Sequence, residues 1–337
     1  MKDIKNLLFS LCESYSIGSI TGAASLAEKE LSKYCCVTRE NNTVIGEIKG
    51  SSDYKIMLDA HIDEVGFTVT NIDSEGFLTV AKCGGIDLRT LPARTVIIHG
   101  KEKVKGVFCS TPPHLSSSDM SFEDIADFKI DTLLGERAKE IISLGDYVTF
   151  DTAPISLLGD RVCAKSLDDR AGVVCLIELA KRLSGKNLPV SVAFCISDME
   201  ELGTRGAKTA AFKVDPQEAV AIDVSFATAP DVSKDEAGEL SEGAMIGISP
   251  VLSKEISRKF MTVAEENGIL YQTEVMSSRT GTNADVISVN KSGVKTGLLS
   301  IPLRNMHTDS EIIDLKDILS VCDILEKHIL LGGAAND

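Results

Sequence analysis

Apolar positions along this chain fall into two textures, and the change from one to the other divides it. Residues 3–12 (DIKNLLFSLC) and 22–34 (GAASLAEKELSKY) space their apolar side chains as helices do, with SIGSITG as a turn between them. VTRENNTVIGEIKG reads as two strand-like pieces about an Asn-Asn turn, and KIMLDAHID as a buried strand. From about residue 67 the runs become short and alternating (GFTVTNI, GFLTVAK, RTVIIHG, KVKGVFC), which predicts a small β-barrel or sandwich. In the same stretch TPPHLSSSDMSFEDIADF reads as a loop, DTLLGERAKEIIS as a helix, and GDYVTF closes the β-rich region. After about residue 157 longer elements return. DDRAGVVCLIELAKRL carries a helical stripe of Val173, Val174, Leu176, Ile177, Ala180 and Leu183, with Asp169 placed to cap it. There follow VSVAFCIS (strand), GTRGAKTAAF (helix), AVAIDVS (strand), SKEISRKFMTVAEENG (helix, stopped by Gly268), TGLLSIPL (strand) and LKDILSVCDILEKHILL (helix), with GGAAND expected to fray. Alternating strands and helices predict an α/β fold with a mainly parallel central sheet flanked by helices. The expected organisation is one discontinuous domain, residues 1–66 and 157–337, interrupted by a β-rich insertion at 67–156.

Composition narrows the functional classes. The 337 residues are 43% apolar and 25% charged, so the chain is expected to fold throughout. A formal net charge of -15 and a pI of about 4.9 disfavour nucleic acid and anionic membrane as partners. Nine cysteines with no C-x-x-C spacing point to buried free thiols in a reducing compartment. No signal peptide is read at the N-terminus, and no apolar run approaches the roughly 20 residues of a membrane span, so a cytoplasmic protein is expected.

Candidate chemistry lies at the ends of the strand-like runs. His61 follows KIMLDA, Asp168 follows VCAKSL, Glu201 follows VSVAFCISDM, Asp223 ends AVAI, and His307 follows TGLLSIPLRN. Open α/β sheets bind ligands outside the carboxyl ends of their strands, so one edge could gather all five. Two imidazoles and three carboxylates can serve two divalent cations. Asp63, two residues beyond His61, could take the second imidazole N–H and orient the ring. Glu200, beside Glu201, could stay free as a general base. Arg304 could stabilise a carboxylate or a developing oxyanion. Taken singly, each has a commonplace reading: a surface His–Asp contact, a helix cap at Asp168, an acidic helix start at Glu200 and Glu201, a loop carboxylate, a loop histidine. His99 and His328 read as structural. The chain has no G-x-S-x-G, P-loop, G-x-G-x-x-G after a strand, or H-E-x-x-H. A glycoside hydrolase using the adjacent glutamates, or a non-catalytic assembly or peptide-binding protein, are the alternatives.

AHIDEVGF, TPPHL, KSLDDRAG, MEELGTRGA, AIDV, GTNAD and IPLRNMHT occur in this order. Together they resemble the deblocking and glutamyl aminopeptidase family, tetrahedral dimetal enzymes of which some were formerly labelled endoglucanases. The resemblance covers nearly the whole chain. It implies an aminopeptidase domain carrying an inserted β-barrel used in assembly, and two zinc or cobalt ions, with manganese also compatible. It implies that His61 and Glu201 hold different metals, as do Asp223 and His307, that Asp168 bridges them, and that Asp63 orients His61. Glu200 matches the general base acting with a metal-bridging hydroxide. Short peptides would be the substrates, and the subunits would form dimers able to build a dodecamer. His114 matches a family motif without a role assignable to it. Asn305 stands where the family more often has an aromatic, Asn283-Ala284-Asp285 varies a Thr-Asp loop, and Ser166 replaces a frequent Ala, which leaves the preferred N-terminal residue open.

Overall fold

A computed structural model describes residues 1–112, 114, 124–230 and 232–336. Its centre is an eight-stranded sheet in the order Tyr271–Val275, Ala244–Ile248, Lys295–Leu303, Glu218–Phe226, Lys55–His61, Ser191–Ser197, Thr43–Ile48 and Cys36–Glu40. The four middle strands, Lys295–Leu303 to Ser191–Ser197, are mutually parallel. Antiparallel pairings join the flanks to them: Thr43–Ile48 on one side, Ala244–Ile248 on the other. The middle strands are buried on both faces, hence their nearly continuous apolar runs (IMLDA, VAFCI, AVAI, LLSIPL).

Helices cover both faces. Leu167–Leu183 packs against the sheet, Leu315–Leu330 and Lys2–Glu13, and the largest hydrophobic core joins these elements. Its stripe residues Val173, Val174, Leu176, Ile177, Ala180 and Leu183 are all buried. On the opposite face a smaller core forms around Arg205–Val214. Lys254–Asn267 ends at Gly268, whose φ of 63° lets the chain leave in a left-handed turn.

Between Lys55–His61 and Leu167–Leu183 the chain builds a closed six-stranded antiparallel barrel, from Gly66–Ile72 to Tyr147–Phe150. It has its own core, in which Phe67 meets Phe108 and Phe150 edge-to-face at 5.1 and 5.7 Å. The expected helix over DTLLGERAKEIIS shrinks to a 3-10 turn and the four-residue helix Ala138–Ile141, because Leu133 and Gly135 take positive φ. Most of the expected TPPHL loop lies outside the described residues; His114 itself is exposed.

The C-terminus departs from expectation. Instead of fraying, Gly333–Asn336 forms a 3-10 turn, and the Ala334 N–H donates to Glu218 Oε2 at 2.7 Å. Glu218 also accepts from Tyr54 Oη and contacts the ring of buried His328. His99 ends a barrel strand, where it meets Thr149 Oγ1 at 2.9 Å and the Tyr15 ring, so both histidines are structural.

Candidate metal centre and substrate cavity

The middle strands all end at one sheet edge. His61 closes Lys55–His61, opposite Ser197 on the neighbouring strand, and Asp223 lies late in Glu218–Phe226. Glu200 and Glu201 follow Ser191–Ser197, and His307 follows Lys295–Leu303. Asp168 enters from the start of Leu167–Leu183, where Asp168 and Asp169 are non-helical and joined by a cis peptide. Five sequence-distant side chains thereby meet. Asp168 Oδ1 lies 3.0 Å from His61 Nε2, while its Oδ2 lies 3.3 Å from His307 Nε2. His307 Nε2 is also 3.2 Å from Glu201 Oε1, and His61 Nε2 is 3.9 Å from Asp223 Oδ1. Asp168 therefore faces both imidazoles, one with each oxygen.

A second layer holds these groups in place. Asp63 accepts the Glu200 N–H at 3.0 Å and the Glu201 N–H at 3.2 Å, one on each oxygen. It is also 3.4 Å from His61 Nδ1, beyond ordinary hydrogen-bond length but close enough for charge attraction. Glu311, which sequence reasoning left unassigned, accepts the His307 N–H at 2.8 Å and the Asp168 N–H at 3.2 Å. It arrives there because Glu311–Asp314 pairs with Arg161–Ala164, the strand leading into Asp168. Asp169 caps its helix through Gly172 N–H, and its other oxygen accepts from the His61 N–H at 3.1 Å. Ser166, Met199, Thr204 and His307 take φ of 55–59° around the cluster. Each such non-glycine residue costs about 1–3 kcal/mol, which the surrounding hydrogen bonds must offset.

Glu64, next to Asp63, was equally silent in the sequence. Its Oε2 accepts from Lys165 Nζ at 2.5 Å and Ser166 Oγ at 2.8 Å; its Oε1 accepts from Arg170 Nη2 at 2.8 Å and Ser16 N–H at 3.0 Å. Arg170 Nη1 reaches the carbonyls of Leu11 and Ser14. All three charged groups are buried. The His61–Glu64 segment, the Asp168 loop and the end of the first helix are thus clamped together.

The electrostatics are those of a site short of positive charge. Burial lowers the basicity of His61 and His307, yet neighbouring carboxylates prevail: His61 rises well above its usual value through Asp168 and Asp63, His307 to about 11 through Asp168 and Glu201. Burial pushes Asp223 and Asp169 far up, aided by adjacent carboxylates. Glu200 rises to about 7, by burial first and then by Glu201 and Asp168. Carboxyls that resist ionising beside imidazoles that resist deprotonating mark an excess of negative charge that bound cations would offset. Among the described residues, three groupings offer ligand atoms within 4.8 Å of one another: His61 with Asp169 and Asp223; His61 with Glu200 and Glu201; and Asp168 with Glu201 and His307. Oxygen and imidazole donors of this kind fit divalent cations such as Zn, Co or Mn.

The cluster opens into a cavity of about 970 Å³, walled beyond it by the strands and loops around Phe226, Glu274, Met276 and Leu298. Arg304 does not line it; it is half-buried, and its backbone bridges to Ile312. The barrel approaches from the other side. A Cβ on Gly84 (φ 86°) would come within 3.2 Å of Glu201 Oε2, and one on Gly85 within 3.1 Å of His307 Nδ1. The missing Cβ at both positions, and the positive φ at Gly84, let the barrel backbone pass this close without displacing either side chain.

Residues 42–324 match the M42 glutamyl aminopeptidase family. A lysyl aminopeptidase of Pyrococcus furiosus is 32% identical over 282 residues, covering 82% of this chain and 81% of the relative. Among solved structures, an aminopeptidase from the archaeon Desulfurococcus kamchatkensis superposes with a TM-score of 0.92 at 29% identity, covering 99% of this chain and 96% of that one. The TET1 peptidase of Pyrococcus horikoshii, described as able to assemble into a tetrahedron or a large octahedral shell, gives 0.86 at 32% identity, covering 97% and 99%. With these matches spanning the sheet, the barrel and the side-chain cluster alike, the chain belongs to the M42 glutamyl aminopeptidase family and is a peptide hydrolase.

Proposed function

We propose that this protein is a two-metal aminopeptidase that removes N-terminal residues from short peptides. The observation that carries the reading is Asp168, whose two oxygens each face a different imidazole. His61, Asp168 and Asp223 would hold one divalent cation, and Asp168, Glu201 and His307 the other. Bound there, two cations would supply Lewis acidity toward the scissile carbonyl and the attacking water. Glu200 takes the proton from that water and passes it to the leaving nitrogen. Burial favours a protonated Glu200 carboxyl, which suits a group that must carry a proton between water and the leaving nitrogen. Asp63 holds Glu200 and Glu201 through their backbone N–H groups, so the base and a metal ligand share one support. Zinc, cobalt and manganese all suit the donor set. We place the enzyme in the cytoplasm and the barrel at subunit contacts, with dimers building a dodecamer; the TET1 peptidase, described as able to assemble into a tetrahedron or a large octahedral shell, supports an assembly of this kind.

Glu200→Gln tests the reading. The variant should retain the wild-type metal content by elemental analysis, while turnover of aminoacyl reporters falls about 10²- to 10⁴-fold. Wild-type turnover in that variant would refute the assignment of the base. An enzyme fully active after chelation would refute the metals.

A further inference from the structure

Two acidic groups lining the cavity have no task in the proposed mechanism: Asp285, which accepts from the Thr280 N–H and hydroxyl and the Gly281 N–H of its own loop, and Glu274. Glu274 lies on the edge strand Tyr271–Val275, partly buried, and lines the cavity shared with His61, Asp168 and Glu200. Its Oε1 accepts from Ser225 Oγ and its Oε2 from Ser300 Oγ at 3.0 Å. Register ties both serines to the metal cluster. Ser300 is the partner of Asp223 across two parallel strands, about 4.8 Å away. Ser225 follows Asp223 by two residues and so shares its face of the strand. The carboxylate therefore stands one serine away from the strand positions that flank a candidate ligand.

Two further properties define what Glu274 would receive. It pairs with no lysine, arginine or histidine among the described residues; the two hydroxyls are its hydrogen-bond donors. Burial holds its carboxyl above the usual range, the two serines only partly reversing this. Apolar side chains line the cavity with it: Leu298 is buried, Met276 half-buried and Val251 exposed at the surface. An apolar slot ending in a carboxylate without a cation suits a side chain with a long methylene stem and a positive tip. The competing cue is Arg279, which lines the same cavity and could attract an acidic side chain. Arg279 is exposed, so its charge is screened by water, whereas Glu274 acts from a less polar environment.

We propose that Glu274 selects peptides whose N-terminal residue is basic, lysine or arginine, by receiving the cationic end of that side chain. This rests on the aminopeptidase reading above and assigns its substrate class. The test is a panel of lysyl, arginyl, leucyl and glutamyl reporters, assayed on metal-loaded wild type and on Glu274→Gln. The wild type should show its highest kcat/KM on the lysyl and arginyl reporters. In the variant the lysyl-to-leucyl ratio of kcat/KM should fall about 10- to 100-fold, the loss expected for one charge-assisted contact. Glu274→Asp, which keeps the charge on a shorter stem, should retain part of the preference, so a folding defect in the glutamine variant would not hide the effect. A wild type that favours the glutamyl or leucyl reporter, or a ratio unmoved by Glu274→Gln, overturns this assignment while leaving the aminopeptidase intact. Cleavage of no reporter by the metal-loaded enzyme overturns both.

Discussion

Replacing Glu64 with glutamine should destabilise the protein more than its position beside the candidate metal cluster would suggest. The side chain keeps its shape but loses the charge that answers Lys165 at 2.5 Å and Arg170 at 2.8 Å, all three groups being buried. Breaking a buried ion pair from one side costs about 3–5 kcal/mol, because the surviving charge is left without an answer. The lower end applies here. Burial already outweighs Glu64 at Lys165 and depresses its basicity, which lessens the penalty of an unanswered ammonium there, and Arg170 keeps the Leu11 and Ser14 carbonyls. The two partners thus shift differently. Burial alone would raise the Glu64 carboxyl, but Lys165 and Arg170 bring it down from 4.5 to about 2. A depressed carboxyl contributes stability that is complete above its unfolded value and fades as the pH falls from 4.5 through about 2. At roughly 1.4 kcal/mol per unit, this contribution is about 3 kcal/mol. The chain has no tryptophan, so urea unfolding is best followed by far-UV circular dichroism. Near neutrality the variant's midpoint should drop by about 1 M. Below pH 4 the gap between wild type and variant should narrow toward zero near pH 2, because the unfolded wild-type chain takes up a proton that the native carboxylate, held at about 2, does not. Equal midpoints at neutral pH, or a gap that does not change with pH, would refute the argument.

Two other perturbations probe separate features. Asp168→Ala should reduce metal content from two equivalents toward none, whereas Asp223→Ala should spare one; equal losses in elemental analysis would contradict a shared carboxylate. Deleting residues 333–337 removes the Ala334 N–H donated to Glu218 and reopens the Tyr54–Glu218–His328 contact, at a cost of about 1–3 kcal/mol, and an unchanged melting temperature would return the tail to the status of a loose end.

Much of the fold is legible along the chain because its central strands and long helices satisfy local rules. The stripe from Val173 to Leu183 has one helical solution, and IMLDA or VAFCI are long enough to be buried on both faces. The convergence of His61, Asp168, Glu201, Asp223 and His307 is legible for a related reason: each follows an apolar run, and parallel strands end together. What escapes is whatever depends on partners distant in sequence. Glu64 reads as one more acid after His61 and Asp63; its meaning comes from Lys165 and Arg170, 101 and 106 residues away. Glu311 reads as loop polarity until the pairing of Arg161–Ala164 with Glu311–Asp314 brings it beneath Asp168. GGAAND has the composition of a fraying end, yet Gly333–Asn336 turns back so that the Ala334 N–H reaches Glu218. Arg304 shows the reverse case: it neighbours the cluster in sequence, yet it is not among the residues that line the cavity.

The glycine pair at 84 and 85 changes what the barrel is. Were the barrel a detachable module, a shorter enzyme could be made by splicing it out and rejoining the flanks. Its Gly84–Gly85 corner instead forms part of the wall behind Glu201 and His307, so excision would strip away the backing of two candidate ligands. Any force that neighbouring subunits exert on the barrel would reach the cation-binding groups across a single layer of backbone, without an intervening linkage to absorb it.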